Sequence, residues 1–114
     1  MTVDIAYKIL TLSEFASLQQ GTFTGAPVDR ADGYIHLSTA QQLDETLNRH
    51  FAGQNDLMIV AVPLVPLGPA LRWEPSRGGD LFPHFYGRLE MRHVSAFTNL
   101  TRDAQGRVRR PTSL

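Results

Sequence analysis

Tyr34, His36 and Ser38 recur at every second position of DGYIHLSTAQQL, residues 32–43. In an extended chain alternate residues share a side, so Ile35 and Leu37 would face a core while a phenol, an imidazole and a hydroxyl line the opposite face. A histidine placed there can donate, accept or transfer a proton near neutral pH. Two further clusters carry similar chemistry. Arg72 and Glu74 alternate with Leu71 and Trp73 and so share a strand face. Arg77, Gly78, Gly79 and Asp80 run directly into LFPHFYG, which supplies His84 and Tyr86. Arginines at 72 and 77 suit a phosphate, bidentately where geometry allows, and the glycine pair lets backbone approach a ligand. The first amides of a helix beginning after Ser38 and Thr39 favour an anion. Each cluster alone has an ordinary structural explanation: a satisfied histidine, a weak surface ion pair, an aromatic plug. Their co-occurrence favours one ligand site.

Other chemistries fit less well. Cysteine is absent, which removes disulfides, thiolate zinc sites and a cysteine nucleophile. The four histidines, 36, 50, 84 and 93, form neither HExxH nor a compact pair, so no metal site is expected. His36-Leu37-Ser38 and His93-Val94-Ser95 are two His-x-Ser triplets, the motif of two-histidine phosphoesterases, although those are duplicated folds and no duplication is visible here. Neither GxGxxG nor GxxxxGK[ST] occurs, which excludes Rossmann and P-loop sites.

The elements that must hold these groups follow from periodicity. IAYKIL, residues 5–10, reads as a first strand, and Thr11 with Glu14 as the capping box of a helix that buries Phe15 and Leu18 and stops at Gly21. Residues 21–33 read as loop. Ser38 and Gln41 form a second capping box, opening a helix whose inner face is Ala40, Leu43, Leu47 and Phe51, closed by Gly53. LMIVAV, residues 57–62, is apolar throughout, as a central strand covered on both faces must be. LRWE is a short strand, 75–87 a structured loop, and a last strand or pair falls within 88–100. The expected core is Leu43, Leu47, Phe51, Ile59, Val60 and Trp73. Residues 1–100 make one α+β domain, and 101–114 a polar tail or small hairpin.

The 114 residues are 42% hydrophobic and 19% charged, with 11 basic and 11 acidic side chains. That composition suits a globular domain with its own core. It lacks the basic footprint of a nucleic-acid binder, and no apolar run approaches the ~20 residues of a membrane span. With no basic-then-apolar leader visible, the expected compartment is the cytoplasm.

Asp32-Gly33-x-Ile35-His36-Leu37-Ser38-Thr39, Gln42, Thr46, Phe51, Gly53, Trp73-Glu74 and Phe82-Pro83-His84-x-Tyr86-Gly87 together carry a resemblance. Over residues 5–98 the chain resembles a small bacterial family known as a domain of unknown function, number 952, grouped by fold with the ADP-ribosyltransferases. The resemblance implies a split β-sheet with two main helices and a cleft that takes NAD. It places Tyr7 and Lys8 on the first strand, where many such enzymes carry a His or Arg that holds NAD. It also makes Glu74 a candidate for stabilising positive charge on the ribose. The expected catalytic residues are therefore His36, Glu74 and His84, and the expected ligand-binding residues Tyr34, Ser38, Thr39, Arg72, Arg77 and Tyr86. The expected ligand is a small molecule, NAD (as substrate) or a related nucleotide phosphate, with ADP-ribosyl transfer or glycohydrolysis as the reaction. The competing class is a non-enzymatic small-ligand or partner-binding module.

Overall fold

Two apolar runs build the centre of the molecule. The computed structural model describes residues 3–111, apart from the side chain of Arg77. Strand β1 (Ile5–Thr11) pairs antiparallel with β3 (Leu57–Pro63), which pairs on its other edge with β6 (Ala96–Asn99). As its composition requires, β3 is buried on both faces. Met58, Val60 and Val62 pack with Ala6, Leu10, Phe15 and Leu18, while Leu57, Ile59 and Ala61 pack with Tyr7, Ile9, Leu43 and Leu47. The period of two thus splits one strand between two core clusters.

Helix α1 (Leu12–Gln20) supplies Phe15 and Leu18, and its capping box is the expected one: Thr11 Oγ1 accepts from Glu14 N at 3.1 Å and Glu14 Oε1 from Thr11 N at 2.8 Å. Gly21 ends it at φ +79°, a conformation that costs a side chain energy. The expected loop over 21–33 is corrected by a second helix, α2 (Pro27–Asp32). It is six residues long and has no capping side chain at Ala26, so the usual start signal is missing. Asp29 replaces that signal by accepting from Ala26 N at 2.8 Å.

The segment after Gly33 joins two sheets. Strand β2 (Ile35–His36) pairs with β5 (Leu81–Phe85), whose other edge pairs with β4 (Leu71–Pro75). Leu37 N still donates to Pro83 O at 3.1 Å, but Ser38 has already crossed to β1, exchanging backbone bonds with Tyr7 at 2.7 and 2.9 Å. The result is an α+β fold of two three-stranded antiparallel sheets, ordered β1-β3-β6 and β2-β5-β4. That crossing shifts the start of helix α3 (Ala40–His50) by one residue. Thr39 and Gln42 form its capping box, not Ser38 and Gln41, because the backbone of Ser38 is held by Tyr7 and its hydroxyl by Thr46 at 2.9 Å. Leu43 and Leu47 are buried, Ala40 and Phe51 partly so, and Phe51 rather than Gly53 is the C-cap.

Residues 75–87, expected as a loop, contain the central strand of the second sheet. Proline is normally kept out of such positions because it cannot donate to a neighbour. Here the carbonyl of Pro83 accepts from Leu37 N, so its nitrogen faces the same edge, at the point where the short β2 ladder ends and the chain crosses to β1. Trp73, expected in the core, is 39% exposed. It lies on edge strand β4, two residues beyond Leu71, which still packs against the core. Past β6 the chain turns back at Asp103, whose Oδ1 accepts from the amides of Gln105 and Arg107, both at 2.9 Å. Val108 N then donates to Asp44 Oδ1 on α3 at 3.1 Å; residues 112–114 of the expected tail lie outside the described residues. Among the described residues no helix is long and apolar enough to cross a membrane.

Candidate functional site

The β2–β5 register sets His36 opposite His84, and cross-strand neighbours on one face lie within side-chain reach. The two imidazoles meet edge to face with centroids 5.4 Å apart. Tyr34 stacks on His84 at 4.1 Å and lies 4.6 Å from His36 and 5.1 Å from Tyr86. Across the other edge of β5 the register brings Arg72 opposite the same His84, with its guanidinium carbon 4.5 Å above the Tyr86 ring, a favourable cation–π geometry. Glu74, on the same face as Arg72, receives His84 Nδ1 at 2.8 Å and the Tyr86 hydroxyl at 2.8 Å, both on Oε1. The His84 hydrogen bond, then that of Tyr86, holds the Glu74 carboxyl below the usual carboxylate range. The same bond raises the Tyr86 phenol, while burial and then the charges of Asp32 and Glu74 raise that of Tyr34.

A second set of charges sits behind His36. Asp29 is 2% exposed and Lys8 6%; the ammonium lies 3.0 Å from Oδ1 and 2.9 Å from Oδ2 of the carboxylate. Oδ1 also accepts from His36 N at 3.0 Å and meets His36 Nδ1 at 2.7 Å. The other ring nitrogen, Nε2, lies 2.9 Å from Asp32 Oδ2. Each ring nitrogen thus has a carboxylate within hydrogen-bond distance, and the imidazole bridges the two. Burial alone would raise the Asp29 carboxyl. The His36 hydrogen bond and the Lys8 charge more than reverse that, bringing it from 3.8 to about 2.

A depressed folded-state value stabilises the fold above the unfolded value and is lost as pH falls through the folded one. Asp29 should therefore contribute roughly 2 kcal/mol at neutral pH. Urea unfolding between pH 5 and pH 2 is expected to show that loss, centred between 3.8 and about 2, and a shallower profile in Asp29→Asn, where the lowered Glu74 and Asp103 carboxyls still titrate.

The two sets meet at a cavity of about 640 Å³ whose walls include Tyr7, Lys8, Asp32, His36, Ser38 and His84. It lies where the Tyr7–Ser38 bridge joins the two sheets, so the wall residues come from both. Among the described residues no group of three or more acidic or imidazole side chains is arranged to hold a metal ion.

The family model described as protein of unknown function (DUF952) matches residues 9–97. The chain belongs to that family. It is also similar to protein CC0527 from Caulobacter crescentus. That protein's crystal structure aligns at 42% identity and TM-score 0.83, covering 92% of this chain and 93% of that one. Its solution NMR structure aligns at 44% identity and TM-score 0.77, covering 91% and 90%. A comparison with curated proteins finds no match.

In this DUF952 chain the expected site residues divide into two groups. His36, Ser38 and His84 line the cavity; Tyr34, Arg72, Glu74 and Tyr86 surround His84 on the same sheet face without being among its wall residues. Thr39 caps α3, accepting from Gln42 N at 3.3 Å, so the Gln42 amide is taken while the Thr39 O–H can still donate; Thr39 is not among the wall residues. The Arg77 side chain lies outside the described residues. His93 does not join His36: Nδ1 accepts from Glu90 N at 2.9 Å and the ring meets Phe85 at 5.4 Å. Phe85 and His84 alternate along β5, so His93 is on the opposite face. Burial, then Arg92, lowers its imidazole. Lys8, Asp29 and Asp32 were not foreseen as site residues. The available signal was Lys8 itself, because a cation inside the apolar run IAYKIL requires a buried partner.

Proposed function

We propose that this protein binds NAD or a related nucleotide phosphate in the cavity between its two sheets, with transfer or hydrolysis at the ribose as the associated reaction. The observation that carries this is a wall holding an imidazole, His36, and a buried ammonium, Lys8, within about 640 Å³, a volume typical of small-molecule sites. The division into two three-stranded sheets with a cleft at their junction supports the ADP-ribosyltransferase-like architecture that the sequence resemblance implies. A cytoplasmic site of action accords with such a ligand. Tyr34 and Tyr86 offer flat rings beside the cavity for a base, and Arg72 a charge beside them.

Glu74 fits the role of ribose stabiliser less well, because Oε1 is engaged by His84 and Tyr86. That specific feature favours the second reading, a binding module without ribosyl chemistry. Calorimetric titration with NAD and ADP-ribose tests the proposal. Saturable one-to-one binding is expected, and no binding of either compound would refute it.

A further inference from the structure

We propose that His84 is a general base, oriented by Glu74, that activates water against the ligand in the cavity. This rests on the nucleotide-binding proposal above and adds to it the reacting group. His84 is 2% exposed and lines the cavity. Its Nδ1 lies 2.8 Å from Glu74 Oε1, which also accepts from Tyr86. A carboxylate held in its ionised form only accepts, so Nδ1 must carry the hydrogen. Nε2 has no hydrogen-bond partner among the described residues, yet no buried side-chain nitrogen or oxygen there is left unsatisfied. The small accessible part of the ring, which faces the cavity it lines, therefore includes Nε2. Tyr34, stacked at 4.1 Å, holds the ring plane in place.

His36 is the contrasting partner. Both its nitrogens are taken, by Asp29 at 2.7 Å and Asp32 at 2.9 Å, so neither is open to water. It offers a ring N–H to an anionic group, with the exposed Asp32 carboxylate holding that place in the free protein. One imidazole thus accepts a proton while its neighbour, at a centroid distance of 5.4 Å, faces the phosphates. With NAD the step balances without a further reactant. Water gives a proton to His84 Nε2 as its oxygen bonds the ribose C1′. The bond from C1′ to the pyridinium nitrogen breaks, its electron pair stays with neutral nicotinamide, and His84 returns the proton to solvent.

The test measures nicotinamide release from NAD by the full chain alongside calorimetric binding. His84→Gln is expected to lower kcat by about 100-fold or more and to leave KM within about threefold. Glu74→Gln gives a second readout, useful if His84→Gln fails to fold. The charged and titratable groups facing His84 are Glu74, His36, Tyr34 and Arg72. Glu74 orients the ring without touching the ligand, so Glu74→Gln should lower kcat with KM within about threefold, a split that a merely structural Glu74 would not cause. Binding without release above the protein-free rate overturns the base and leaves the binding site standing, as does an active His84→Gln or a Glu74→Gln with unchanged kcat. Failure to bind NAD or ADP-ribose overturns the binding proposal, and the base with it.

Discussion

Asp29→Ala is expected to destabilise the protein by about 3–5 kcal/mol, because it leaves the Lys8 ammonium buried without its counter-ion. The carboxylate does more than neutralise Lys8: it also accepts from the amides of Ala26 and His36 and meets the His36 ring. Four donors from β1, α2 and β2 converge on one side chain, so its removal loosens three elements together. Urea denaturation measures the effect. Lys8→Met combined with Asp29→Leu should recover the part of the loss that comes from the stranded ammonium, while the donors of Ala26 and His36 stay without their acceptor. A cost for Asp29→Ala below about 1 kcal/mol would mean that water already reaches Lys8 and that the pair is not desolvated.

His36→Ala is expected to cost about 1–3 kcal/mol and to weaken ADP-ribose binding by at least about tenfold, the worth of one charge-assisted hydrogen bond. The alternation Ile35-His36-Leu37 allows two outcomes: as a ligand wall His36 could be removed with the fold spared, and as a structural bridge its loss would cost about 1–3 kcal/mol. The contacts of the ring combine the two. The imidazole bridges buried Asp29 to Asp32, so stability and affinity fall together, and Asp29 keeps only Lys8 and backbone amides. Thermal unfolding and calorimetry on one preparation read both effects. A lowered melting point with unchanged affinity, in a parent that binds, would assign His36 to the fold alone.

What the sequence disclosed and what it hid differ in range. Thr11 with Glu14, the buried pattern of 57–62 and the inner face Leu43–Leu47 were legible because each depends on neighbours within one element. The proximity of His36 and His84 was anticipated from residue type, and the antiparallel register supplies the physical reason. Lys8 and Asp29 are 21 positions apart and meet only after α2 folds back over β1, a pairing that no local pattern encodes. Strand β5 was hidden by Pro83, which sits where the two-residue ladder with β2 ends. Trp73 was misplaced because alternation along LRWE says which face a side chain takes, not how far the core extends beneath it. Ser38 looked like a helix cap because its demand by Tyr7, across the sheet junction, is a tertiary contact.

The central claim is that the cavity at the junction of the sheets is a nucleotide site, and the most direct measurement is calorimetric titration of the intact protein with NAD and with ADP-ribose. One-to-one binding is predicted, with Kd on the order of 1 μM to 1 mM, weakened in His36→Ala and carrying a salt dependence from the charge of Lys8. Absence of binding for both compounds at millimolar concentration, in protein whose cooperative unfolding shows it to be folded, would contradict it.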